Sequence, residues 1–509
     1  VSVRWNLAAG FAHSVWGAAV SILAVPFYLY FLGVEAYGLI GFYTAMQALF
    51  VLLDMGLGPT IVREVAQAQA KGEIAAARNL LRTLAIIYWA LALLVGMVVV
   101  LLAPLIAGAW LNNASLPNET VARAVALMGV VIAIRFPISL YTGALVGAHR
   151  LGISSMIGIL GLSVANLGVI PVLAWWSASI ETFFIWQAIA ALIHLAVLHS
   201  AAWRVLKAPQ RPRFDMDALR RVWRFSAGMG AATVLGTIFM QADKVVLSSM
   251  VSLEDFGKYT LAWVIARTLY LFMTPTFSVV YPRLTSLMTE GRGADALTLY
   301  KSGTRLMMAA VFPLAAFLAI FSEEVFLVWT GGTNLGEDTL LVVAFLLLGT
   351  ALNGAMHFPY AAQLAAGKSH LPMIINLILL ILFVPMLFLL TRSFGVVGAA
   401  AAWAGLNALY VALGTWLTHR TIFPGAGARW LATDVGVPLL TSLAVVVIAG
   451  LAVRQADWSP LPTLIAGAGL ALLAFLATVA VSPHLVHAAR RFLPGREASA
   501  SPQLNGEQL

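Results

Sequence analysis

Leu53-Asp54-Met55-Gly56-Leu57-Gly58-Pro59-Thr60-Ile61-Val62-Arg63-Glu64 closes an apolar helical run that carries a single carboxylate, then breaks on glycine and proline and emerges into basic sequence. A carboxylate inside such a run costs about 2.5–3.5 kcal/mol at a bilayer centre, so it faces water or a partner within a helix bundle. The stretch therefore predicts a membrane bundle with a polar interior, a route for something polar.

Composition agrees. The 509 residues are 61% hydrophobic and 10% charged, where soluble domains carry about 25% charged residues. They are better counted in spans of about 20 apolar residues than in soluble domains. The absence of cysteine excludes disulfide scaffolds, thiolate metal sites and cysteine nucleophiles. The first ten residues hold one arginine and run into a span too long for a signal peptide, so no cleavage is expected.

The apolar runs predict an all-α, polytopic bundle of about 14 transmembrane helices. They fall at roughly 6–32, 38–62, 83–108, 121–146, 153–175, 181–204, 226–250, 258–282, 304–322, 338–364, 370–391, 395–418, 430–453 and 460–482. With the N-terminus inside, 23 Lys and Arg fall in cytoplasmic segments and four outside, which places both termini in the cytoplasm. The same asymmetry accounts for the net charge of +9 without nucleic acid.

Residues 204–225 form a long basic connection midway, with 214–225 expected as an amphipathic helix on anionic lipid. The tail offers a second surface helix at 484–493 and a polar end to 509. Gly33-Val34-Glu35-Ala36-Tyr37-Gly38-Leu39 recurs as Ser252-Leu253-Glu254-Asp255-Phe256-Gly257-Lys258, after the first and seventh spans. The repeat predicts two lobes around a central cavity, an N-terminal lobe at 1–205 and a C-terminal lobe at 226–420. Residues 206–225 then form a cytoplasmic linker, 421–483 two appended spans and 484–509 a cytoplasmic tail. Glu35 and Glu254 in the repeated turns read as caps at helix starts.

Four stretches carry a resemblance: Leu32 to Gly38; Leu53 to Leu57 with Arg63-Glu64-Val65-Ala66; Gln241-Ala242-Asp243-Lys244-Val245-Val246-Leu247; and Gln363-Leu364-Ala365-Ala366-Gly367-Lys368. In order and spacing they resemble the bacterial polysaccharide transporters, the Wzx-type O-antigen and exopolysaccharide flippases. These share a superfamily with the multidrug exporters and the lipid II flippases. The resemblance implies a two-lobed bundle working by alternating access in the bacterial cytoplasmic membrane. It also implies an undecaprenyl-diphosphate-linked oligosaccharide as cargo, moved to the periplasmic leaflet, with membrane lipids and polysaccharide polymerase or ligase machinery as partners.

A sugar diphosphate needs a wet, partly cationic path. Three cations lie inside spans: Arg135, Lys244 and Arg267. Arg135 lies about 21 Å from its helix end, too deep to snorkel easily. Permanently charged forks at Arg135 and Arg267 suit phosphate oxygens. The alternative is a structural ion pair.

Adjacent on their helix, Asp243 and Lys244 are expected to point apart, and depth allows an Asp243–Arg267 pair. Asp54 reads as a partner of Arg63 in an inner gate or as a group for proton or sodium coupling, Asp243 as the other coupling candidate. His13 reads as a satisfied core histidine. No cofactor, metal site or enzyme motif is expected. The rivals are a lipid II flippase, a cation-coupled multidrug exporter and, from another class, a membrane glycan ligase or polymerase.

Overall fold

The computed structural model describes residues 3–54, 56–113, 115–332, 336–456 and 458–481, without the side chains of 3, 4, 7, 51, 221 and 223–236. The surface helix expected at 484–493 and the polar tail lie outside the described residues, as does Met55. In the first half α1 (Val3–Phe50) leads through a 3-10 turn to α2 (Leu57–Lys71), α3 (Ile74–Leu105) and α4 (Asn118–Arg135). Then come α5 (Ile138–Gly147), α6 (Leu151–Asn166), α7 (Val169–Trp175) and α8 (Ile180–Val205). The second half holds α9 (Met216–Met250), α10 (Leu253–Arg267), α11 (Tyr270–Thr289) and α12 (Gly293–Ile320). It continues with α13 (Ser322–Thr330), α14 (Glu337–Ala355), α15 (His357–Ala365) and α16 (His370–Thr421). Two further stretches follow, α17 (Gly427–Arg454, with two π-helical turns) and α18 (Pro460–Ala480).

Ten stretches of the described residues are long and apolar enough to cross a membrane, eleven with the bent pair α10–α11, against the fourteen expected. Part of the difference lies in two stretches that each hold two helices joined at a kink. The stretches Ala8–Asp54 and His370–Thr421 have 47 and 52 residues, about twice what a bilayer needs. Each turns at a left-handed glycine, Gly33 (φ 80°) and Gly395 (φ 55°).

The chain divides into two compact units. One comprises Val1–Ala266, Phe326–Leu346 and Leu380–Leu406; the other comprises Arg267–Val325, Leu347–Leu379 and Asn407–Leu509.

Inside the first unit the two repeated turns pack on each other reciprocally. A side chain on Gly38 would overlap the carbonyl of Leu253, and one on Gly257 would overlap the carbonyl of Val34. Val34 and Leu253 are equivalent in the repeat, so each glycine admits the backbone of the other copy. The Leu253 N–H donates to the Asn112 carbonyl at 2.8 Å, and the Trp110 indole donates to Ser248 at 3.0 Å. Trp329 adds a third tie. Pro26 has no N–H for the Ile22 carbonyl one turn back, and the Trp329 indole N–H supplies that bond at 2.9 Å. Glu35 caps a different segment from the one expected: its buried carboxylate accepts from the backbone N–H groups of Ser115 and Leu116.

At the opposite, basic-loop end, the linker is strapped to the start of α3. Arg78 donates to the carbonyls of Ala208 and Gln210, the Arg213 N–H to Asn79 at 2.8 Å, and the Asp215 N–H to Thr83 at 2.8 Å. The helix expected at 214–225 is not separate. Asp215 caps Ala218 N and opens the single 35-residue helix α9, which contains no proline to break it.

Candidate functional site

Two helices stop in mid-span, each on an arginine. α4 ends at Arg135 because Pro137 has no N–H and opens α5. α10 ends at Arg267, and α11 starts at Tyr270 after a 42° bend. The negative end of a helix dipole favours a cation there, and that offsets part of the cost of holding a guanidinium at this depth.

The setting of Arg135 follows from the end of α6. The last four carbonyls of a helix lack intrahelical partners, and here all four are supplied. Ser163 accepts from Leu167 N, Val164 from the Trp186 indole at 2.8 Å, Ala165 from Gln187 Nε2 at 3.0 Å, and Asn166 from the Tyr28 hydroxyl at 2.8 Å. Because a carbonyl only accepts, the bond to Ala165 fixes the Gln187 amide and turns its oxygen to Arg135, whose Nη2 donates at 2.8 Å. The guanidinium lies 5.9 Å from the ring centre of Tyr43, whose own hydroxyl is buried without a hydrogen bond among the described residues.

Tyr28, Tyr43 and His194 are close enough to feel the Arg135 charge. His194 lies against Gly161 and His13 against Gly158, one turn apart on α6, where a larger residue would overlap the rings. His13 is half-buried and has no hydrogen bond among the described residues, so the expected satisfied core histidine is not what forms. Arg135 makes no carboxylate contact among the described residues.

Lys244 is built the other way. Its ammonium lies 3.0 Å from Asp243 and 4.6 Å from the ring centre of Trp263. Asp243 also accepts from the Tyr259 hydroxyl at 2.7 Å and the Trp263 indole at 3.0 Å, all of it buried. The expectation that these neighbours point apart fails because the lysine stem is long enough to bend back. The proposed Asp243–Arg267 pair gives way to the same cluster, which occupies the Asp243 oxygens. Arg267 is exposed in the other unit.

Asp54 is committed to local structure. It accepts from Gly58 N at 3.0 Å, capping α2, from the Tyr88 hydroxyl, and from Ser139 at 3.5 Å. Among the described residues the expected Asp54–Arg63 ion pair does not form. Arg63 lines a cavity of about 480 Å³ at the basic-loop end with Glu64, Gln67, Lys71, Glu73 and Asp215.

Two ion-pair clusters escaped the sequence reading. Arg305, counted there in a cytoplasmic segment, lies within α12 and grips buried Asp434 at 2.5 Å. Asp434 sits in a π-helical turn of α17. Arg454 binds Glu323 at 2.5 Å and Glu324 at 3.0 Å. The lone carboxylate of an apolar span was the available signal for Asp434, and a lone amide was the signal for Gln187.

Broken helices ending on guanidinium groups, in an apolar bundle with an internal repeat, define a polytopic membrane transporter. The chain belongs to the family of polysaccharide biosynthesis proteins, whose model matches residues 9–288. It thereby falls in the superfamily of multidrug, oligosaccharidyl-lipid and polysaccharide exporters. A Shigella flexneri protein named for O-antigen transport is 20% identical over 422 residues, covering 80% of this chain and 97% of that protein. Among solved structures, the lipid II flippase MurJ in an inward closed conformation superposes with a TM-score of 0.71 at 14% identity, over 94% of this chain and 98% of that one. An inward-facing multidrug transporter of the MATE family gives 0.64 at 14% identity, over 85% and 100%. At such identities the two structures speak to the fold alone.

Proposed function

We propose that the protein flips an undecaprenyl-diphosphate-linked oligosaccharide from the cytoplasmic to the periplasmic leaflet of the bacterial inner membrane, with the basic loops and both termini in the cytoplasm. The single observation carrying this reading is the setting of Arg135. A guanidinium at bilayer depth is held in place by a neutral amide, and the nearby Tyr43 hydroxyl has no hydrogen bond among the described residues. A cation there without a carboxylate is costly until an anion arrives, and a phosphate supplies acceptors matched to its fork. Family membership and the relative named for O-antigen transport support the cargo.

The repeat halves, 1–205 and 226–420, serve as the moving parts, and the membrane potential drives the step. Two negative charges moving outward release about 4.6 kcal/mol at 100 mV, at about 2.3 per charge. Asp54 and Asp243, the candidates for proton or sodium coupling, are both engaged by hydrogen-bond donors. That favours structural roles for them.

The test is reconstitution in vesicles with a labelled polyprenyl-diphosphate oligosaccharide, reading the sugar in the opposite leaflet. Arg135→Ala removes charged hydrogen bonds worth about 2–3 kcal/mol, so movement should slow about 30- to 150-fold with insertion intact. Wild-type rates in Arg135→Ala would remove the assignment. New glycosidic bonds would favour a ligase, and drug export without lipid movement would favour an exporter.

A further inference from the structure

α11 has two unlike faces. Leu271, Phe272 and Val279 are apolar residues exposed by about half to three-quarters, the pattern of a lipid-facing side. Tyr270, Phe277, Tyr281 and Thr285 recur at helical spacing on the other side, with Thr274 beside them. The Phe277 and Tyr281 rings lie parallel, 5.5 Å apart at 9°, and Tyr360 of α15 stacks on Phe277 at 5.8 Å and 24°. His357 meets Phe277 edge-on at 6.2 Å.

Beside the rings, the Tyr270 hydroxyl reaches Asn353 at 3.4 Å, and Asn353 donates to Asn407 at 2.9 Å. All of these residues belong to one compact unit.

An aromatic cluster at helical spacing is more often core than binding surface, but this one is not core. The true core rings of the same unit, Tyr300, Phe321, Phe358 and Trp430, are closed to solvent to within 2%. Phe277, Tyr281, His357 and Tyr360 are only half-buried. The hydroxyls of Tyr281 and Tyr360 have no hydrogen bond among the described residues. Hydroxyls left open on the side of α11 turned away from lipid require a polar neighbour.

We propose that Phe277, Tyr281 and Tyr360 form a platform for the sugar rings of the cargo, with His357 and the Asn353 amide beside it for sugar hydroxyls. This deepens the flippase reading and rests on it. Stacked aromatic faces complement the C–H faces of a pyranose, and neutral donors and acceptors complement its hydroxyls. The platform itself carries no charge, so it suits the glycan and not the diphosphate.

The test uses the full-length protein in nanodiscs and two probes. One is the lipid-linked oligosaccharide extracted from the cells that carry this protein; the other is undecaprenyl diphosphate without sugar. Phe277→Ala and Tyr360→Ala should each weaken binding of the glycosylated lipid about tenfold. Binding of the bare diphosphate should hold, which also controls for folding. The ring-preserving Phe277→Tyr and Tyr360→Phe should stay close to wild type. Equal loss of both probes in the alanine variants, or loss of neither, overturns the platform while the flippase stands. Failure of the wild-type protein to bind either probe overturns the flippase reading and the platform with it.

Discussion

Arg135 and Lys244 are both cations inside apolar spans, one half-buried and one buried, and their surroundings teach what depth alone does not. Lys244 is closed: a carboxylate, a tyrosine hydroxyl and an indole complete a cluster that needs nothing further. Arg135 is open: an amide locked by the end of α6 points it, and among the described residues no carboxylate neutralises it. Sequence places both inside hydrophobic runs and separates them only by the depth of Arg135 and by the Asp243 beside Lys244. The difference between a structural cation and a binding cation lies in the partner, and the partners are 52 residues away in one case and adjacent in the other.

The largest effect should come from opening the closed cluster. Asp243→Ala strands the Lys244 ammonium and leaves the Tyr259 and Trp263 donors without their acceptor, so stability should fall by about 3–5 kcal/mol. The double variant Asp243→Ala/Lys244→Met should recover the part of that loss that comes from the stranded ammonium, but not the part from the two donors that still lack an acceptor. Thermal unfolding in detergent reads both. A single variant as stable as the parent would mean that the cluster is not closed.

The reverse experiment closes the open site. Gln187→Glu places a carboxylate against Arg135 and gives it the neutralised character of Lys244. Lipid movement should drop about 30- to 150-fold, the range set by losing a charged phosphate contact worth about 2–3 kcal/mol. Glutamate cannot donate to the Ala165 carbonyl, so the new ion pair offsets a lost hydrogen bond of about 0.5–1.5 kcal/mol and the unfolding midpoint should change little. Undiminished transport in Gln187→Glu would show that an uncompensated Arg135 is irrelevant to the cargo.

Much of the fold was legible, because a bilayer imposes a length and an apolarity that a sequence displays directly. The repeated turns were legible too, although nothing in them announced that Gly38 and Gly257 admit each other's backbone. The apolar-run criterion sees only the part of a helix inside lipid. It placed the third span at about 83–108, whereas α3 begins at Ile74 and carries Arg78 to the linker. The site was half legible. Depth singled out Arg135, but the residues that set its state, Gln187 and Tyr43, come from other helices and look like ordinary span residues. Arg305 and Asp434 are 129 positions apart, and only packing brings them together.

The smallest effect concerns the tie between the halves at the repeat-turn end. Trp329→Phe keeps the ring and removes only the N–H that reaches the Ile22 carbonyl. Hydrogen bonds inside membrane proteins average about 0.6 kcal/mol, so the population in which this end separates should rise about threefold. The chain has no cysteine, so a spin-label pair at Glu119 and Glu254 can report that distance without background. Pro26→Ala supplies the missing backbone N–H to Ile22, which then competes with the indole. In that background Trp329→Phe should change nothing, because the carbonyl is already satisfied along its own helix. An equal shift in both backgrounds would mean that Trp329 acts through packing, and that the bond it makes to the Ile22 carbonyl contributes nothing to holding this end together.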